Sequence, residues 1–170
     1  MVNNHQLKYS IAQIRTLLNN VLDPEVPALS IEDLGILRDV RETSDGVEVV
    51  ITPTFTGCPA MKVIEEDITE VLQKAGINNF KILTVLAPAW TTDWMSVEGK
   101  RKLKEYGIAP PELSTEQHLM AMLSGKKESV GCPFCNSTNT RLTSPFGSTA
   151  CKALHYCDNC HQPFEEFKCH

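Results

Sequence analysis

Residues 46–75, GVEVVITPTFTGCPAMKVIEEDITEVLQKA, change period halfway through. Val47, Val49 and Ile51 alternate with other residues, as in a strand with one buried face, and the run stops at Pro53. Met61, Ile64, Ile68, Val71, Leu72 and Ala75 then recur at helical spacing, with Pro59 suited to a first turn and Gly76 to a C-terminal stop. Working outward, Ser44-Asp45-Gly46 is a hairpin signal, so residues 36–43 are expected to form the strand that pairs with 47–53. Upstream, Ile11, Ile14, Leu18 and Val21 mark a helix over 11–22, with Ser10 as N-cap and Asp23-Pro24 as its end. Downstream, residues 80–86 read as a third strand, and 97–106, closed by Gly107, as a further helix. The order α-β-β-α-β-α predicts an α+β domain with a small three-stranded sheet covered by helices.

The strand-to-helix junction carries one chemically notable residue. Cys58, in Thr54-Phe55-Thr56-Gly57-Cys58-Pro59, is expected at a helix N-terminus. Unpaired N–H groups and the helix dipole there would lower its pKa and favour thiolate. Gly57 would allow close approach of a partner or a cluster. The alternative is that Cys58 is a small buried hydrophobe. Asp23-Pro24-Glu25 places two carboxylates in a stiff turn read as exposed, either as oxygen ligands or a general base, or as ordinary helix-ending residues. Trp90 and Trp94 fall in a segment read as an exposed loop, packing over the sheet edge or docking a partner.

The 170 residues include seven cysteines, an odd number that no closed disulfide set can use. The polar N-terminus resembles no secretory leader, and no apolar run approaches bilayer-spanning length. The expected location is therefore cytoplasmic, where thiols serve metal or thiol chemistry. Six of the seven cysteines lie beyond residue 131, which suggests a domain 1–110, a linker 111–130 containing Pro111 and a short helical piece over 113–123, and a module 131–170. In that module Cys132-Pro133-Phe134-Cys135 and Cys157-Asp158-Asn159-Cys160 are two Cys-x-x-Cys knuckles separated by 21 residues. Two knuckles brought together give the four-sulfur tetrahedron that Zn2+ prefers. Four thiolates can also hold an iron–sulfur cluster, but well-separated knuckles favour zinc. Strand-prone pieces at 141–144, 152–156 and 163–167 fit a zinc ribbon, whose small core needs the metal to fold. Cys151, Cys169 and His170 remain as spare or core groups or a second, labile metal site, and His155 reads as a surface residue.

Net charge is −5. Divided at Pro110, the front carries 11 basic and 15 acidic residues and the back 5 and 6, so neither half has the basic footprint of a nucleic-acid binder. The chain shows no dinucleotide fingerprint and no repeated Glu-x-x-His on long helices, so neither flavin nor di-iron chemistry reads as native to it.

Asp23-Pro24-Glu25, Ile31-Glu32-Asp33-Leu34-Gly35-Ile36 and the 54–59 segment together resemble the SufT-like family of iron–sulfur assembly proteins. With Trp90-Thr91-Thr92-Asp93-Trp94-Met95, the two knuckles and Phe146-Gly147-Ser148-Thr149-Ala150-Cys151-Lys152, the chain from about residue 9 onward is similar to the PaaD-like family of phenylacetyl-CoA epoxidase systems. That resemblance implies a non-catalytic accessory protein of phenylacetate catabolism, maturing or delivering iron or iron–sulfur centres. Cys58 would hold the iron or cluster transiently, Asp23 and Glu25 would shape its site, and Cys132, Cys135, Cys157 and Cys160 would bind structural Zn2+. The implied partners are the epoxidase oxygenase and reductase subunits and iron–sulfur assembly machinery, with neither nucleic acid nor membrane. Two other readings stand beside it, a structural subunit of the epoxidase complex and an enzyme using Cys58 as a nucleophilic or redox thiol.

Overall fold

The computed structural model describes residues 9–112, 114, 116–117, 120, 123–124 and 129–168. It divides into two compact units, Met1–Trp90 and Thr91–His170. In the first, helix α1 (Ile11–Leu18) opens with a capping box between Ser10 and Gln13 and buries Ile14 and Leu18. The expected continuation to residue 22 does not form. Asn20 turns its side-chain amide onto the Leu17 carbonyl, and Leu22 instead bridges to Ser30. Asp23-Pro24 therefore belongs to a tight loop, not to a helix end.

Strands β1 (Leu37–Thr43) and β2 (Gly46–Ile51) form the antiparallel hairpin that Ser44-Asp45-Gly46 announces. Helix α2 (Ala60–Lys74) follows, then strand β3 (Phe80–Thr84), which lies parallel to β2. Parallel neighbours need a crossover connection, and α2 is that connection. The sheet order β1-β2-β3 makes β2 central, and its Val47, Val49, Val50 and Ile51 are all buried. On α2 the stripe Met61, Ile64, Ile68 and Leu72 is buried, the stripe that the helical period picks out.

Trp90 is 4% exposed, and its indole Nε1 donates to the Leu34 carbonyl at 2.8 Å. The exposed-loop reading fails for it because this hydrogen bond and the burial of a large ring fix the end of the unit. Trp90→Phe keeps most of the packing but strands the carbonyl. It should lower the stability of this unit by about 1–3 kcal/mol, read as a lower denaturant midpoint.

The second unit contains a 3-10 turn (Thr92–Trp94), helix α3 (Val97–Glu105) and strands β4 (Ile108–Ala109), β5 (Thr140–Ser144), β6 (Lys152–Cys157) and β7 (Pro163–Phe167). Its sheet order is β4-β7-β6-β5. The ribbon strands β5, β6 and β7 run antiparallel, close to their expected positions. The fourth strand is one that no sequence pattern suggests. Ile108 and Ala109 pair in parallel with Glu165 and Glu166 of β7, so α3 and β4 fall with the ribbon and the compact units part at Trp90, before the division expected at 110. Much of the 111–130 linker, including parts of its 113–123 helical piece, lies outside the described residues, as do Cys169 and His170.

Candidate functional site

Two cysteine sites emerge, one in each unit. In the second, the knuckles are copies of one turn. Cys132 donates its N–H to the Ser137 carbonyl, and Cys157 donates its own to that of Gln162. Asn136 and His161, each just after the second cysteine of its knuckle, take left-handed φ values of 60° and 58° and donate back to the carbonyls of Cys132 and Cys157. These paired turns aim the four thiols at one point. The sulfurs all lie within 4.8 Å of one another, with Cys132 to Cys160 at 3.7 Å and Cys135 to Cys157 at 3.6 Å. A tetrahedron with metal–sulfur bonds of ~2.3 Å has an edge of roughly 3.8 Å, so the chain holds its sulfurs at the spacing a single four-coordinate ion requires. A cluster would place several irons and sulfides between them and drive them further apart.

The protonation pattern suits the same purpose. The backbone N–H of Ser137 pulls the Cys135 thiol down to about 6, whereas burial pushes Cys160 up to about 12. A metal ion binds cysteine as thiolate, so binding at such a site releases protons and weakens in acid.

Cys151 is buried, but its sulfur meets Thr149 Oγ1 at 3.1 Å and belongs to no group of three possible ligands among the described residues. The other members of the second site expected of it, Cys169 and His170, lie outside the described residues. His155 is not on the surface. It is 5% exposed, stacks on Phe164, and its Nε2 lies 2.8 Å from Glu166 Oε2. A period-2 reading of β6 alone could not reveal a carboxylate supplied by β7.

In the first unit Cys58 lies half-buried between β2 and α2. Its N–H donates to the Phe55 carbonyl at 3.2 Å, and its carbonyl accepts from Met61 at 3.3 Å. Gly57 has φ +84° but open space around its Cα, so the turn needs glycine for its backbone conformation. The Ala60 N–H and the Thr54 hydroxyl both hydrogen-bond the sulfur, the anion-favouring donors expected of a helix start. They are outweighed. Burial raises the Cys58 pKa above the ordinary thiol value, and the Glu25 and Asp23 charges raise it further. The expected depression is reversed because the sulfur is partly desolvated and faces carboxylates across the fold. Thr54 is a contributor that sequence reasoning misses, although its place in the 54–59 segment marks it.

Asp23 is also more constrained than expected. It is 8% exposed, and its Oδ1 accepts from the backbone N–H of Glu25 at 2.9 Å and Val26 at 2.8 Å, an Asx turn that shapes the loop. Asp23, Glu25 and Cys58 are thus electrostatic neighbours, yet they do not converge as the four ribbon cysteines do.

Residues 11–78 match the family of iron–sulfur cluster assembly proteins, and residues 116–168 match the PaaD zinc beta ribbon domain. The chain is 43% identical over 160 residues, 94% of its length and 93% of the other's, to a protein of Escherichia coli (strain K12) named as a "Putative 1,2-phenylacetyl-CoA epoxidase" subunit. It is 33% identical over 102 residues to an Fe-S protein maturation auxiliary factor of Porphyromonas gingivalis (strain ATCC BAA-308 / W83), covering 59% of this chain and 96% of that one. A crystal structure of a domain of unknown function, DUF59, from Bacillus anthracis superposes with a TM-score of 0.51 at 28% identity, covering 55% of this chain and 90% of that one. With its sequence aligned almost from end to end, its assembly domain in front and its four-cysteine ribbon behind, the chain belongs to the PaaD family of phenylacetyl-CoA epoxidase proteins.

Proposed function

We propose that this chain is a non-catalytic accessory protein of phenylacetyl-CoA epoxidation, acting in the cytoplasm on iron or iron–sulfur centres carried as cargo at Cys58. The observation that carries this reading is the field around that sulfur. Burial, and then the negative charges of Glu25 and Asp23, make thiolate costly when nothing is bound, so the vacant thiol stays protonated and slow to oxidise. The same negative field lowers the cost of holding a cation, which replaces the proton. The Ala60 N–H and Thr54 hydroxyl stand ready to stabilise the sulfur once it is anionic. Ligands that are near but not converged suit a cargo that must leave again, in contrast to the pre-set ribbon cysteines. Cys132, Cys135, Cys157 and Cys160 would hold Zn2+ as a structural ion, since four thiolates at tetrahedral spacing satisfy zinc and leave no open position for chemistry.

Against a thiol enzyme, residues 9–90 contain no histidine to act as base beside Cys58. The partners on this reading are the epoxidase oxygenase and reductase subunits and the iron–sulfur assembly machinery. Among the described residues, no helix is long and apolar enough to cross a membrane.

The test is made in cells that depend on the epoxidase, with the gene for this chain deleted. Oxygenase and reductase subunits purified anaerobically from such cells should carry several-fold less iron, and restoring the chain should restore it. Full iron occupancy in its absence would overturn the proposal.

A further inference from the structure

The segment between the two matched regions, residues 79–115, includes α3 and β4 and is covered by neither family domain. We infer that metal bound at the four-cysteine centre holds α3 and β4 in place, making this segment a metal-dependent element of the second unit. The inference rests on the reading of the four cysteines as a metal site and extends it to chain outside the ribbon.

Three observations tie the segment to that centre. Ala109, 1% exposed, packs in one small cluster with Cys132, Cys157 and Phe164. Cys135 and Cys160 pack against the same cluster, so all four candidate ligands meet there. Ile108 and Ala109 take their strand partners from β7, which begins three residues after the second knuckle. Finally, the turn leading out of α3 rests on the first knuckle. Gly107 has φ +89°, and a Cβ there would sit 3.1 Å from the Phe134 ring between Cys132 and Cys135. Helix α3 is short, and five of its nine residues are exposed. Its one fully buried apolar side chain is Leu103, and nine residues are too few for a stable isolated helix.

The consequence follows from the size of the cluster. Four buried residues, two of them candidate metal ligands, make a cluster too small to keep its shape once the sulfurs are uncoordinated and misaligned. Removing the metal loosens the knuckles, and β4 then loses both its packing partners and the fixed position of β7. By reciprocity, a change that dislodges β4 weakens the hold on the metal.

The test is hydrogen–deuterium exchange of the full chain in a thiol-free reductant, before and after metal removal by a chelator, with metal per chain measured on the same samples. Peptides spanning 97–109 should lose protection at least about tenfold on metal removal, while those spanning 47–72 stay unchanged. Retained protection over 97–109 in demonstrably metal-free protein would overturn the inference and leave the metal reading standing. A chain that holds no metal as isolated and takes up no added Zn2+ would overturn both. In the second arm Gly107→Val forces a side chain into the Phe134 ring without touching a ligand. It should speed metal release to a chromogenic chelator several-fold and raise exchange over 97–109. Faster exchange over 97–109 with an unaltered release rate would overturn the coupling.

Discussion

Cys157→Ser is expected to reduce bound metal to below about one-tenth of an ion per chain and to unfold the second unit while the first remains folded. Cys157 has no exposed surface and ends β6. Its sulfur lies 3.6 Å from that of Cys135 and accepts the Cys160 N–H at 3.5 Å. A serine hydroxyl there is a poor zinc donor, and the remaining three thiolates cannot close the tetrahedron. Structural zinc sites supply an apparent ~10–16 kcal/mol at neutral pH, as much as the whole stability of an ordinary domain. The residual core around Ala109 and Phe164 cannot replace that. The first unit has its own core, including Ile14, Leu18, Ile51, Ile64, Ile68 and Leu72, so its thermal transition should persist as the other disappears. Cys151→Ser is the control. That buried thiol already faces the Thr149 hydroxyl, so its loss should cost about 1 kcal/mol and leave the metal content unchanged. A Cys157→Ser chain that retained a full metal ion, or a Cys151→Ser chain that lost it, would show that the ligands have been misassigned.

Local chemistry explains why so much of this molecule can be read from its residues. Ser44-Asp45-Gly46 sets a hairpin wherever two alternating runs flank it, and Gly76 and Gly107 end helices through backbone conformation. The knuckles work the same way, because the spacing within each places two sulfurs on one side of a turn before any tertiary contact forms. What is not legible depends on partners distant in sequence. Ile108-Ala109 is too short to show a period, and its strand partner lies more than 50 residues away, so the boundary expected at 110 cuts through a sheet. Trp90 sits two residues after Pro88 in a segment without a clear period, and only the Leu34 carbonyl, 56 residues earlier, makes it a core residue. His155 escapes a surface reading because its carboxylate partner comes from another strand. Cys58 is the most instructive case. The helix-start donors foreseen from its position are present, yet burial and two carboxylates from the 23–25 loop reverse the sign of their effect. Sequence places a thiol on an element, and the fold decides what charge it faces.

That reversal makes Cys58 testable in a way its position alone would not. Cys58→Ser should change the stability of the first unit by less than about 1 kcal/mol, since the side chain is half-buried and a serine hydroxyl can still accept from the Ala60 N–H. The same substitution should lower iron in the epoxidase subunits to the level seen with the chain deleted. The raised pKa gives the pH dependence its sign. At pH 7 the thiol is protonated, and alkylation should accelerate about tenfold per pH unit until the pH passes a value above that of an ordinary cysteine. Glu25→Gln removes a negative charge that raises that pKa, so alkylation at pH 7 should become faster. It also removes charge that attracts a cation, so retention of Fe2+ by the same variant should become weaker. A cysteine kept only for packing would show the faster alkylation but no change in Fe2+ retention, and one serving as a nucleophile would gain activity where the carrier loses cargo. The opposed movement of reactivity and retention in a single Glu25→Gln variant is therefore the measurement that separates the three roles. A variant in which alkylation quickens while Fe2+ retention stays fixed would reduce Cys58 to a filler of the β2–α2 junction.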